Sequence, residues 1–315
     1  MLLVLGTSGT AVSMYAQHVL YRPGPLPEAR AIVVPHGGLG QVADALRANG
    51  VIARRTDFVI AAWVTRHEGS LHAAELLFPA HASLREVLST LRAAKPVQHS
   101  LTIPEGLTAR QIVAIFAHAE ALAGPAAETP PEGGVLPQTY HYEYGTSPAA
   151  ILARARAAMD RAVAQEWDAR APDLPLASAR EALILASIVE RETALPDERP
   201  HVAAVFLNRL KHGMRLQSDP TVVFAVSGGA GTLDHPLSRA DLDRDDPFNT
   251  YRAHGLPPGP ICAPGLASLH AVLHPASSED LYFVADGTGK HVFARTLEDH
   301  ARNVARWRTL PAPTH

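Results

Sequence analysis

The run Leu183-Ile184-Leu185-Ala186-Ser187-Ile188-Val189-Glu190-Arg191-Glu192-Thr193 is almost without polar side chains until it ends in two acids. A helix at a protein surface carries a polar stripe beside its apolar one, so a helix that is apolar on nearly every face must lie at the centre of its domain. Ser178 followed by Glu181 marks its start as a capping box, which satisfies amide donors that the first turn leaves free. Counting back from Glu192 in helical steps, Ile188, Leu185 and Ile184 share its face, so the carboxylate stands at the open end of an apolar stripe. Desolvation there raises a carboxyl pKa, and each unit of rise favours the neutral acid by about 1.4 kcal/mol. Glu192 is therefore a candidate general acid. The residues alone leave a second reading open, in which Glu190 and Glu192 are the solvated last turn of a core helix, paired with Arg191 or Arg199.

The segments that follow suggest a groove. Residues 198–213 predict a helix with Val202, Val205, Phe206, Arg209 and Leu210 at intervals of three and four, closed by Gly213. Next, Asp219 reads as an N-cap and Pro220 as the first helical residue of a short helix. Gly255-Leu256-Pro257-Pro258-Gly259-Pro260-Ile261 is a rigid loop with few backbone donors, suited to a groove wall. Residues 281–293 read as strand, turn and strand, with Thr296 and Asp299 opening a closing helix.

These motifs stand in an order and spacing that resembles the endolytic murein transglycosylase family (MltG, YceG-like). The matching strings are residues 186–193, Val205-Phe206-Leu207-Asn208-Arg209-Leu210, Met214-Arg215-Leu216-Gln217-Ser218-Asp219-Pro220-Thr221, Asn249-Thr250-Tyr251, the 255–261 loop, Tyr282-Phe283-Val284-Ala285 and His291-Val292-Phe293. Upstream, Leu101-Thr102-Ile103-Pro104-Glu105-Gly106 and Gly134-Val135-Leu136-Pro137-Gln138-Thr139-Tyr140 extend the match over nearly the whole chain after its first twenty-odd residues. Phe248 and Cys262-Ala263 depart from the family's usual residues. The resemblance implies that Glu192, the Glu of a Glu-Thr pair, is the catalytic acid, with Glu190 as supporting structure or groove rim. It also implies a substrate, glycan strands of alternating N-acetylglucosamine and N-acetylmuramic acid, and a cut without water that leaves a 1,6-anhydro end. One carboxylate can serve that reaction as acid and then as base, because the attacking hydroxyl belongs to the sugar itself. Gln217, Asp219, Asn249, Tyr251 and His291 are the expected substrate-binding residues, since amide, hydroxyl and imidazole groups suit acetamido and hydroxyl recognition.

The implied fold class is α+β, with an N-terminal membrane-anchor helix over residues 1–21 and a small LysM-like α/β module over 28–97. A second strand–helix phrase and connection follows over 98–160, then a mixed α+β lytic transglycosylase catalytic domain over 161–312. In the module, Ile32-Val33-Val34 leads by a turn into a helix with Val42, Ala45 and Leu46 on one face, a phrase repeated from Leu101 with Ile112, Ile115 and Phe116. Residues 1–20 carry no charge and would span about 30 Å as a helix, the thickness of a hydrocarbon core. The resemblance implies a single-pass inner-membrane anchor with the catalytic body in the periplasm, and peptidoglycan synthases as partners. No basic flank precedes the segment, which suggests a start further upstream.

With 47% hydrophobic residues in 315, the chain can bury a sizeable core, and its net charge of -3 argues against a nucleic-acid partner. Its one cysteine, Cys262, excludes an internal disulfide. Neither metal nor nucleotide cofactor is expected. His67-Glu68 with His72 lacks zinc-protease spacing, the acids at 241–246 lack the glycine and final Glu of a calcium loop, and Gly287-Thr288-Gly289-Lys290 reads as a hairpin turn. Two alternatives stay open: a hydrolytic muramidase, for which Asp219 is the nearby second carboxylate, and a non-enzymatic membrane-anchored peptidoglycan-binding scaffold.

Overall fold

The computed structural model describes residues 14–309. Two compact units divide the chain: one runs up to Ser100 and adds Glu120–Ala123 and His141–Thr146, the other takes Leu101–Ala119, Gly124–Tyr140 and the chain from Ser147 onward. The first unit contains β1 (Arg30–Val33), α1 (Leu39–Ala48), α2 (Arg55–Val64), β2 (Glu75–Phe78) and α3 (Leu84–Ala93). β1 and β2 pair antiparallel, with Arg30 opposite Phe78 and Val33 opposite Glu75. Phe58, Leu46, Leu76, Phe78, Leu88 and Leu91 fill its core. On α1 the buried stripe is Val42, Ala43 and Leu46, so Ala43 takes the place expected for Ala45.

The expected membrane anchor needs correction. Among the described residues, no helix is long and apolar enough to cross a membrane. Residues 14–21 are helical, a length of about 12 Å where a span needs about 30 Å. They include Gln17 and His18, Leu20 packs against the first unit's core, and Arg22 just beyond bonds to Asp57 at 3.0 Å. The rest of that expected segment, residues 1–13, lies outside the described residues. The single-pass inner-membrane placement with a periplasmic body is thus not supported.

β3 (Gln98–Thr102) and β4 (Thr139–Glu143) form a second two-stranded sheet, with α4 (Ala109–Phe116) between them in the chain. The second unit continues with α5 (Pro148–Asp168), α6 (Ala179–Glu192), α7 (Arg199–Lys211), α8 (Asp219–Val226), α9 (Arg239–Leu242) and α10 (Leu266–Leu273). The hairpin β5 (Tyr282–Ala285) and β6 (His291–Ala294) and the helix α11 (Leu297–Arg308) complete it. The architecture is mixed α+β with small sheets.

The apolar run forms α6, and it is central: it packs against α5, α7, α8 and α10. Ala182, Leu185, Ala186, Ile188 and Val189 are wholly buried. Burying each Leu, Ile or Val contributes about 1.5 to 3 kcal/mol, which fixes the helix in the core. The one polar residue inside the run, Ser187, is satisfied on both sides: its hydroxyl donates to the Ile184 carbonyl at 2.7 Å and accepts from the Ile261 amide at 3.0 Å. That second bond docks the end of the 255–261 loop onto α6. The N-terminus of α6 differs from the expected capping box. Ser178 does accept from the Glu181 amide, but the Glu181 carboxylate accepts from the Ala177 amide at 2.6 Å instead of from Ser178.

Candidate active site

Glu192 is the last residue of α6; the chain turns extended at Thr193 and the helix ends there. The Glu192 carboxylate accepts a hydrogen bond from the Ser218 hydroxyl. Ser218 is itself held in place. Its amide donates to the Thr250 hydroxyl at 3.0 Å, and the Thr221 hydroxyl donates to its carbonyl at 2.6 Å and meets the Thr250 hydroxyl at 2.9 Å. Ser218, Thr221 and Thr250 are all buried. Just before them, Gln217 adopts a left-handed backbone, φ +52°, which costs a non-glycine residue about 1 to 2 kcal/mol. Its amide donates to the Thr250 carbonyl at 3.1 Å, so the surrounding structure holds that conformation.

Burial of the carboxyl is the largest influence on Glu192 and pushes its pKa up to about 7 from an ordinary 4.5, and the nearby Asp219 charge acts in the same direction. The Ser218 hydrogen bond and the charges of His291 and Arg209 oppose the rise without cancelling it. Near pH 7 about half of the molecules then carry a protonated Glu192, against well under one per cent for an ordinary glutamate. The residue still faces open space, since it lines a cavity of about 440 Å³ together with Arg209, Leu216, Gln217, Asp219, Tyr251, Phe283, Val284, His300, Val304 and Trp307.

That wall is partly apolar and partly hydrogen-bonding. The Tyr251 hydroxyl donates to Asp219 at 2.6 Å, and burial followed by the Asp219 bond pushes the phenol pKa upward. Arg209 is buried and gives its guanidinium to three carbonyls, Leu281 and Leu216 each at 2.6 Å and Arg215 at 3.4 Å, so its charge stays fixed beside the cavity. His300 stacks on Tyr282 with ring centroids 5.1 Å apart; its Nδ1 is buried without a partner, and burial lowers its pKa, favouring the neutral ring.

The structure brings Gln217, Asp219 and Tyr251 to the cavity with Glu192, whereas Asn249 and His291 are not part of its lining. Asn249 is wholly buried. Its side chain donates to the Leu242 and Arg244 carbonyls at 3.0 and 2.8 Å and accepts from the Tyr251 amide at 2.9 Å, shaping the turn that presents Tyr251. His291 binds Glu198 through its amide at 2.9 Å and its Nδ1 at 2.8 Å, and Glu198 also accepts from the Thr193 hydroxyl at 3.2 Å. His291 thereby ties the hairpin to the chain just past α6. Asp219 is not the N-cap expected of it: Ser218 occupies that position and Asp219 is the first helical residue, which frees its carboxylate for Tyr251 and the cavity. Glu190 points elsewhere, accepting from the Gly265 amide at 2.9 Å and pairing with Arg199 at 3.4 Å. The 255–261 loop contributes no residue to the cavity lining.

Sequence reasoning passed over Ser218, His300 and Trp307. Ser218 carried a signal, a capping-type residue directly before Asp219-Pro220, masked by the equally cap-like Asp219 beside it. His300, Val304 and Trp307, spaced by four and three, share the face of α11 that lines the cavity. Arg209 also carried a signal, as the one charged residue among Val202, Val205, Phe206 and Leu210 on that stripe.

A model of the YceG-like family matches residues 32–306. The chain belongs to that family. Among its relatives, an endolytic murein transglycosylase of Bacillus subtilis is 43% identical over 123 residues, covering 39% of this chain and 33% of the relative. An endolytic murein transglycosylase of Streptococcus pneumoniae is 36% identical over 181 residues, covering 55% of this chain and 32% of the relative. The matched part of this YceG-like chain thus spans about a third of the length of these curated relatives. A crystal structure of a yceG-like protein from Listeria monocytogenes superimposes with a TM-score of 0.53 at 28% identity, covering 88% of this chain and 99% of that one.

Proposed function

We propose that this YceG-like chain is an endolytic peptidoglycan lytic transglycosylase that cleaves the MurNAc-β-1,4-GlcNAc bond of glycan strands without water. The observation that carries the reading is a single desolvated acid, Glu192, with its pKa near 7, on the wall of a cavity that also presents Gln217, Asp219 and Tyr251. The names of the relatives, endolytic murein transglycosylases, agree with it.

In this mechanism protonated Glu192 gives its proton to the glycosidic oxygen as the bond to the muramic C1 breaks. The carboxylate formed then takes the proton of the muramic C6 hydroxyl as that oxygen closes on C1, giving the 1,6-anhydro end. A group titrating near working pH suits both halves of such a cycle. The Ser218 hydrogen bond favours the anionic half, while the apolar wall at Leu216 and Phe283 favours the neutral half. Gln217 and Tyr251 offer amide and hydroxyl groups to the sugar acetamido and hydroxyl substituents.

A second carboxylate in the cavity keeps a hydrolytic muramidase as the rival reading, since Asp219 does not cap a helix and lies beside Glu192. The LysM-like module over residues 28–97 would add glycan contact, at a cavity of about 420 Å³ bordered by His36, Gly38, Leu71 and His72. Glycan-polymerising synthases are the partner class that the family resemblance implies.

Digestion of purified glycan strands with mass analysis of the products tests the proposal. Wild type should yield ends lighter by one water than hydrolytic products, and Glu192→Gln should bind strands but release none. Hydrolytic ends would establish the rival, and undiminished cleavage by Glu192→Gln would remove Glu192 from the mechanism.

A further inference from the structure

Glu166 on α5 and His270 and His274 at the end of α10 form a cluster that shares no residue with the cavity around Glu192. One ligand-type atom from each lies within 4.8 Å of the other two. His270 stands in the last turn of α10 and His274 is the residue that caps it, its amide bonded to the His270 carbonyl, which brings the ring centroids to 4.3 Å apart with a 30° tilt. Glu166 reaches them from the neighbouring helix, its Oε2 2.8 Å from His270 Nδ1. The scaffold is rigid. α5 packs on α10, the Ala171 amide donates to the Leu273 carbonyl at 2.9 Å, and Leu269, Val272 and Leu273 are buried beneath the site.

We propose that Glu166, His270 and His274 are the three protein ligands of a site for a divalent transition cation of the zinc class, with water in the remaining position. Two imidazole nitrogens and one carboxylate oxygen suit zinc, cobalt or copper; calcium and magnesium favour all-oxygen shells. Tetrahedral bonds of about 2.0 to 2.2 Å place neighbouring donors about 3.4 Å apart. Glu166 Oε2 and His270 Nδ1 are 2.8 Å apart and the three ligand atoms all lie within 4.8 Å of one another, so a shell of that spacing asks for ångström-scale shifts of the side-chain ends. His270 is 60% exposed at its side chain and Glu166 27%, which leaves an approach for the hydrated ion and a place for its water. The cation would take the place of the proton joining His270 to Glu166, the neutral imidazole carrying its own proton on Nε2.

Sequence spacing alone conceals the site, because Glu166 lies 104 residues before His270. That is why the sequence led to the expectation of no metal. The ion would clip α5 to α10, and α10 packs directly on α6. It takes no part in the chemistry at Glu192, so the site and the proposed activity stand or fall separately.

The test uses the full chain, stripped with chelator and titrated with zinc(II) and then cobalt(II). One equivalent of zinc should raise the thermal unfolding temperature, and one of cobalt should give the visible absorption of a four- or five-coordinate ion. His274→Ala and Glu166→Gln should each abolish both responses; Glu166→Gln keeps the side-chain shape and serves if His274→Ala fails to fold. The proposal is overturned if wild type shows no saturable first equivalent, or if Glu166→Gln takes up and responds to metal as wild type does.

Discussion

Replacing Glu192 by Gln should make the protein more stable, and by an amount that depends on pH. Glutamine has the shape of the protonated acid and can still accept the Ser218 hydrogen bond, but it never has to carry a charge in the desolvated site. In wild type the folded carboxyl titrates near 7 and the unfolded one near 4.5. Between those values the folded state holds a proton that the unfolded state has lost, so wild-type stability falls as pH rises through the window and levels off above it. The gap corresponds to about 3 kcal/mol at pH 8, with no difference below pH 4. Glu132, whose pKa burial also pushes up to about 7, titrates in the same window but contributes alike to both proteins. Urea unfolding of wild type and Glu192→Gln at pH 4.5, 6 and 8 measures the difference. At a slope of about 3 kcal/mol per molar, the midpoints should separate by about 1 M at pH 8 and converge at pH 4.5. Parallel profiles would falsify the claim that Glu192 is desolvated at the cavity wall.

Ser218→Ala removes an interaction that favours the charged form of Glu192, so the alkaline limb of the pH–rate profile for strand cleavage should move upward by about one unit; an unmoved limb means that the hydroxyl does not tune the acid. Glu190→Gln weakens the bond to the Gly265 amide and the Arg199 pair, and should cost about 1 to 3 kcal/mol in thermal unfolding while the pH profile of cleavage keeps its shape. A shifted profile would give Glu190 a part in the proton transfer.

What could be read from the sequence follows the range of the interactions. The apolar run needed no partner to show that it is buried, and Ile184, Leu185 and Ile188 lie where helical periodicity puts them. Cap chemistry at Thr296 and Asp299 was equally local, with the Thr296 hydroxyl accepting from the Asp299 amide at 3.1 Å. Side-chain roles that depend on distant chain are not written in local sequence. Asp219 and Pro220 look like a cap and a first turn until Tyr251, 32 residues on, captures the carboxylate. Asn249 and His291 have the chemistry of sugar-binding groups, yet carbonyls at 242 and 244 and the Glu198 carboxylate already occupy them. The carboxyl environment of Glu192 depends on Leu216 and Phe283, which no spacing on α6 reveals.

The path of the chain between its two compact units has an evolutionary consequence. Short returns at 120–123 and 141–146 belong to the unit formed mainly by residues before 101, so neither unit is one uninterrupted stretch of sequence. Recombination at a single point cannot lift either out intact. The Glu192 cavity escapes that interleaving, because every residue that lines it lies in the long uninterrupted stretch after Ser147.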